Sequence, residues 1–434
     1  MGAKIPVPDA QTGLLALRAM LHQRHPLAAL QVFNEQLGDI FRVNLPGFTP
    51  VVMVGPQAAH FVLVEARREL RWRNATDPVT RLLRHGVLVE DGAAHDELRR
   101  ALSPALHRRM LAGYIESFWR CAGQVSATWP QGGVVDMLVE MRKIALLALM
   151  DTLYAVDYTP ELERLWKAVL GCIHYISPGL WMVWKGAPRP GYQRWIATID
   201  AYLLQIIHAR RRLLAGRSEP PLDMLGLLVF SGMEDGLIRD QLLTMLIAGH
   251  DTVTALLAWT LYLLGAHPMA LDAAAEQAQV TLASGAVPTL EQIQRLDRLE
   301  RAIKEALRLY PPIHLGSRVA AVDLDFNGYT IPQGERVIYS IYLTQRQPAA
   351  WPDPDSFIPD RHLGAAPAAY TWLAFGGGPR NCIGAAFGQL EAVVVLGRLL
   401  AEFDLRLQEK RVLPYMGATL EPRPGVRMRV WRRG

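Results

Sequence analysis

The stretch FGGGPRNCIGAAFG, residues 375–388, sets three glycines, a proline and an arginine in front of a solitary cysteine. Only three cysteines occur in 434 residues: Cys121, Cys172 and Cys382, far apart and without a CxxC pair. That spacing supports neither a disulfide framework nor a cysteine-rich zinc site, and it suits a reducing compartment. Cys382 stands at the mouth of a helix expected over 385–403, where unpaired N–H groups and the helix dipole favour an anion. Glycines at 376, 377 and 378 permit positive-φ turns and close approach of backbone to a flat ligand, and Gly384 leaves room on the other side. Arg380 is placed to reach an acidic group of whatever the sulfur holds.

Working outward, residues 38–65 read as strands, with β-branched runs cut by a Pro-Gly turn. Helical periodicity dominates from 93 to about 309, broken at Pro130, Pro160, Pro178 and Pro188–Pro190. Residues 318–345 return to short strands, with turns at Asn327-Gly328 and Pro332-Gln333-Gly334. The segment QRQPAAWPDPDSFIPDRHL is too rich in proline for a helix or a central strand, and alternation at GVRMRVW closes the chain. Nothing marks a domain boundary, so the expectation is a single domain over 1–434, mainly α with a smaller β portion. The longest apolar run, Leu242 to Gly265, has the length of a membrane span, but His250 and Asp251 at its centre point to a buried core helix. No signal peptide is evident, and a cytoplasmic protein is expected. Net charge is +5, with 46 Lys and Arg against 41 Asp and Glu. No zinc-finger spacing or aromatic–basic interleaving points to nucleic acid.

A flat, dianionic, metal-bearing ligand on an axial thiolate is haem. The spacing Phe375, Gly378, Arg380, Cys382, Gly384 resembles the haem-binding loop F-x-x-G-x-R-x-C-x-G of the cytochrome P-450 family, with every fixed position met. The resemblance runs from about residue 35 to 430. LIAGHDTVT, 246–254, is similar to the family's oxygen-binding motif on its long central helix. It implies that Ala248 and Gly249 crowd the distal haem face, that Thr252 bonds iron-bound oxygen and that Asp251 relays protons. From the residues alone, Thr252 is expected to bond back to the carbonyl four residues earlier. Glu305 and Arg308 lie three apart on one helix face. They resemble the family's E-x-x-R, with Arg361 completing a structural triad that braces the cysteine loop. His95, Arg99, Arg318 and Arg380 suit two haem propionates, because arginine's fork binds carboxylate bidentately. Gln345 and Gln347 depart from the family's usual His-Arg-Asp-Pro.

The resemblance implies a haem b monooxygenase with Cys382 as the metal ligand and O2 as co-substrate, hydroxylating or epoxidising a lipophilic molecule. With no flavin or iron–sulfur module in the sequence, electrons are expected from NAD(P)H through a ferredoxin or flavodoxin and its reductase, with the enzyme a monomer. Arg99, Arg100, Arg108 and Arg109 are candidates for docking an acidic donor. A peroxygenase or hydroperoxide isomerase is the alternative, which the Asp251-Thr252 pair opposes; a ligand-sensing haem protein is a third. The substrate pocket is expected around Val79–Val87, Leu242, Met245, Ile313, His314, Leu315 and Met416.

Overall fold

The computed structural model describes residues 3–179, 191–409 and 411–433; the break expected at Pro188–Pro190 lies outside them. The chain opens with α1 (Ala10–Gln23) and α2 (Leu27–Leu37), then the hairpin β1 (Ile40–Arg42) and β2 (Val51–Met53). The expectation of strand through 65 is wrong beyond Met53. Pro56 starts α3 (Pro56–His60), where its fixed φ and missing N–H cost nothing, and Phe61–Glu65 continues as a π-helical turn. The apolar run FVLV looks like a buried strand because burial alone does not reveal the period.

β3 (Leu70–Arg71) and α4 (Pro78–Leu83) lead to α5 (Gly92–Leu102) and α6 (Leu111–Ser126). β4 (Val134–Asp136) interrupts the expected helical stretch before α7 (Met137–Leu153), α8 (Leu162–Ile176), α9 (Tyr192–Leu214) and α10 (Met224–Phe230). The 32-residue α11 (Asp235–Ala266) runs through the core and is followed by α12 (Pro268–Thr281), α13 (Leu290–Gln294) and α14 (Asp297–Leu309). α11 is long and apolar enough to cross a membrane, but it lies inside the protein, packed against α7, α9 and α14.

β5 (Leu315–Ala320), the hairpin β6 (Leu324–Phe326) and β7 (Tyr329–Ile331), and β8 (Arg336–Ser340) follow. Residues 341–344 are not strand but the short α15 (Ile341–Thr344), which Ser340 caps by accepting from the Leu343 N–H at 3.2 Å. After the cysteine loop come α16 (Ala385–Glu402), β9 (Phe403–Leu407), β10 (Leu413–Met416), β11 (Leu420–Arg423) and β12 (Arg427–Arg432).

The main sheet has the order β1-β2-β8-β5-β3, with β2 parallel to β8 and the other pairs antiparallel. A second sheet, β4-β12-β9, stitches the chain's end to its middle, and β10 pairs with β11. Three residues of β4 are too few for a period-2 signal, which is why the sequence hides it. α11 packs against both α7 and the cysteine loop's helix α16.

Candidate functional site

The loop before Cys382 turns left-handed at Gly376 (φ +71°) and Gly378 (φ +63°), but Gly377 is extended (φ −166°), so two of the three glycines supply the turns. A Cβ on Gly378 would lie 2.5 Å from the Leu63 carbonyl oxygen, so the loop seats directly on the π-helical turn. The Cys382 N–H donates to the Phe375 carbonyl at 2.8 Å and closes the loop just before Gly384 caps α16. Phe375 packs against Trp372, ring centroids 5.8 Å apart. The Cys382 side chain is exposed, yet protein surrounds it closely enough that burial pushes its thiol upward, against the Gly384 N–H and the Arg99 charge. An exposed but desolvated sulfur faces a recess and not the outer surface. Cys121 and Cys172 are buried, and burial pushes both to about 12, so they are packing residues.

From Asp240 to Leu261 every residue of α11 is buried except Ala248, Gly249 and Thr252. Those three share one helix face, so a core helix is uncovered in the middle. α16 leads from the cysteine loop onto this helix, with Gly388 approaching Val253. Thr252 Oγ1 donates to the Ala248 carbonyl at 2.7 Å, as expected. Gly249 has a reason the sequence did not show: a Cβ there would lie 2.7 Å from Leu149 Cδ1, so the glycine admits α7. Asp251 points to the flank, where its Oδ2 accepts from Thr419 Oγ1 at 2.7 Å. Burial and the Glu421 charge push this carboxyl up to about 6, against Arg142 and Thr419.

The four cationic candidates gather around the loop. Arg99 grips Asn381, donating to its carbonyl and its Oδ1, each at 2.8 Å. Arg380 donates to the Glu90 carbonyl and pairs with Asp91 at 2.8 Å, and His95 meets Asp96 at 2.9 Å. Arg318 lies over the Trp72 and Tyr339 rings. Burial lowers Arg380, and the Arg318 and Arg99 charges add to this against Asp91 and Asp96. Burial also lowers His95, with the Asp96 hydrogen bond opposing and Arg380 adding to the fall. Asp91 and Asp96, local partners that the sequence reading omitted, leave this positive cluster only partly neutralised.

Glu305 and Arg308 are fully buried and paired through two bonds of 2.9 Å. Arg361 Nε reaches Glu305 at 3.3 Å, and His362 Nε2, which the sequence reading missed, reaches it at 3.0 Å. Arg308 also donates to the carbonyls of Gln345, Pro354 and Ser356. Gln345, one of the departures from the family pattern, bridges the Leu307 and Arg308 carbonyls to the Leu373 N–H. It thereby ties α14 to the strand of chain entering the cysteine loop.

The expected pocket residues separate. Leu242 is fully buried and its carbonyl accepts from Tyr154, so it belongs to the core and lines no opening; Met245 is buried too. Ile313 is 42% exposed while its neighbour His314 is buried, with Nδ1 unpaired and burial lowering it to about 4. Leu315 and Met416 are half-buried beside Leu420 and Ile338. Within 79–87, Leu82, Leu83 and Val87 are buried and Val79 half-buried. Gln241 pins that loop to α11 through the Val87 N–H and the His85 carbonyl. Arg84 ties it to Asp200 of α9 and Asp240 of α11.

An accessible but desolvated sulfur, an uncovered face on the helix that α16 packs against and an under-neutralised cationic rim fit an iron porphyrin with two carboxylates. The comparisons agree. The family model described as Cytochrome P450 matches residues 8–426. "Putative cytochrome P450 135B1" of Mycobacterium tuberculosis is 29% identical, covering 94% of this chain and 89% of the relative. "Cyclooctat-9-en-7-ol 5-monooxygenase" of Streptomyces melanosporofaciens is 27% identical, over 88% and 84%. The crystal structure of the cytochrome P450DA heme domain superposes with a TM-score of 0.86 at 28% identity, covering 100% of this chain and 99% of that one.

Proposed function

The chain belongs to the cytochrome P450 family and is a cytochrome P450 monooxygenase; from that premise we propose that it oxidises a lipophilic carbocyclic substrate of the terpenoid kind.

 The uncovered face at Ala248, Gly249 and Thr252, on the helix against which α16 packs as it leaves the cysteine loop, is the observation that carries this reading. Bound haem would supply oxygen activation, held through the Cys382 thiolate; the chain's own residues would place it and its protons. Arg99, Arg318, Arg380 and His95 would hold the two carboxylates, and Phe375, Gly378 and Gly384 would let the porphyrin lie close to backbone. Thr252 would deliver protons at the uncovered face, with Asp251, buried on the flank behind it, as their source. Of the candidate pocket residues Ile313 is the most exposed, while His314 is buried.

The relative named for cyclooctat-9-en-7-ol supports a cyclic, mostly hydrocarbon substrate. Electrons come from a separate ferredoxin or flavodoxin, drawn to the exposed Arg100, Arg108 and Arg109. We read the whole chain as one catalytic domain, monomeric and cytoplasmic, in keeping with its three unpaired cysteines. The test is spectroscopic. The reduced, CO-bound protein is expected to give the thiolate-type spectrum, and cyclic terpenoids to shift the spectrum of the haem-loaded ferric protein. A CO spectrum without the thiolate form removes the reading. Replacing Thr252 with Ala is expected to divert reducing equivalents to peroxide with little change in substrate binding; unaltered coupling removes the role given to Thr252.

A further inference from the structure

The cationic groups around the cysteine loop come from α5, β5 and the loop itself, and one carboxylate links them. Asp91 stands at the N-cap of α5 with extended backbone (φ −120°, ψ 162°). An aspartate there ordinarily accepts from the N–H groups of its own first turn, a bond worth about 1 kcal/mol. The Asp91 side chain makes no such bond. It turns instead to the chain leaving β3, accepting from the Trp72 N–H at 3.0 Å and the Arg73 N–H at 2.9 Å. Its Oδ1 also pairs with Arg380 Nη2 at 2.8 Å. The bonded Trp72 carries its ring beneath Arg318, with the guanidinium 5.6 Å from the ring centroid. One carboxylate thus holds Arg380 directly, Arg318 through an indole, and the start of the helix that bears His95 and Arg99.

Arg380 is held at one nitrogen. Nη2 donates to both Asp91 and the Glu90 carbonyl, and among the described residues no group bonds its Nε or Nη1. Those remaining donors are what an incoming carboxylate needs. The cations also stand within reach of one another. Burial lowers Arg380, and the Arg318 and Arg99 charges add to this, with Asp91 the foremost charge opposing them.

We propose that Asp91 is a positioning residue for the cofactor: it aims Arg380 and Arg318 at the haem carboxylates before haem arrives, and its charge beside them holds the iron's reduction potential down. The inference rests on the reading of those two arginines as haem-carboxylate ligands. Its two parts are separable. Positioning acts through hydrogen bonds, since a guanidinium already fixed in place gives up less side-chain entropy on meeting a carboxylate. The charge acts through space. Reduction adds one electron to the iron site, which a nearby carboxylate disfavours and an unopposed arginine favours. Asp91 itself gives up no proton and no electron.

The test uses the haem-loaded chain, read by transfer of haem to excess apomyoglobin and by redox titration of the Fe(III)/Fe(II) couple. Asp91→Ala removes bonds and charge together. It is expected to raise the potential and to speed haem release about tenfold, as for the loss of one charge-assisted hydrogen bond. Asp91→Ser, whose short side chain can cap α5 without reaching Arg380, takes its place where Asp91→Ala fails to fold. Asp91→Asn keeps an acceptor for the Trp72 and Arg73 N–H groups without the charge, and is expected to raise the potential while release stays near the wild-type rate. Asp91→Glu is expected to return the potential to the wild-type value. An unmoved potential in Asp91→Asn overturns the charge role, and wild-type release from Asp91→Ala or Asp91→Ser overturns the positioning. A residue that only stabilised the fold would lower the unfolding temperature and leave the potential where it was. A wild-type CO spectrum without the thiolate form removes the monooxygenase reading itself, whereas a normal one with an unmoved potential removes this inference alone.

Discussion

Glu305 and Glu391 are both buried carboxyls, and the protein treats them in opposite ways. Burial alone would raise Glu305, but hydrogen bonds from His362 and Arg308 outweigh it and hold the group at about 2. Its folded value lies below the unfolded 4.5, so its stabilisation is present above that pH and is lost as pH falls toward 2. Glu391 of α16 has no partner for its Oε1, and burial raises it well above the usual range. Its contribution has the other sign: the folded state keeps the proton, and stability falls as pH rises above the unfolded value. Glu305→Gln is therefore expected to cost about 3–5 kcal/mol in urea unfolding at pH 7 and to flatten the acid limb of the stability profile. Glu391→Gln is expected to flatten the alkaline side and to leave the midpoint at pH 8 unchanged or higher. The pair at 305 and 308 was legible as a spaced motif, and Arg361 with it. His362 was not, because an adjacent imidazole carries no spacing signal of its own. Glu391 was not singled out from the sequence, since its missing partner is a property of packing.

At the scale of elements, α11 is where sequence and structure meet most closely and where they part. Its length and its polar centre were legible, because apolar residues all round a helix require burial. The reason for Gly249 was not, since Leu149 comes from a helix a hundred residues earlier. Gly249→Ala is expected to destabilise by about 1–3 kcal/mol through overpacking, measured by thermal unfolding, with Leu149→Ala recovering part of the loss in the double variant. A gain in stability in Gly249→Ala alone would show that α7 has room to move. The π-helical turn at 61–65 was misread for a related reason: its side chains are buried on several sides, and such a run has no period to read. Short strands such as β4 depend wholly on a distant partner, here β12.

Across the whole molecule the basic excess becomes a directed feature. Arg100, Arg108 and Arg109 are exposed, while Arg99 is tied to Asn381 next to the cysteine. A negatively charged donor approaching this surface is steered by a field that salt screens within about 8–10 Å. Arg108→Glu with Arg109→Glu is expected to slow reduction by ferredoxin several-fold at low salt and to flatten its dependence on ionic strength, as read by stopped-flow. An unchanged salt slope would move the docking site elsewhere.

The seating of Gly378 on Leu63 has a consequence for how the protein is made. The cysteine loop is completed by chain that lies more than three hundred residues upstream, and Arg380 and Arg99 reach it from partners nearly as remote in sequence. Contacts of such separation carry the largest loop-closure cost and form late in folding. The loop is thus expected to be the last part of the chain to assemble and, in apoprotein, the first to open, so that cofactor capture acts as the final latch on a nearly finished fold. Hydrogen exchange of the apoprotein should show 375–384 and 61–65 losing protection together, ahead of α11, and regaining it together when haem is added.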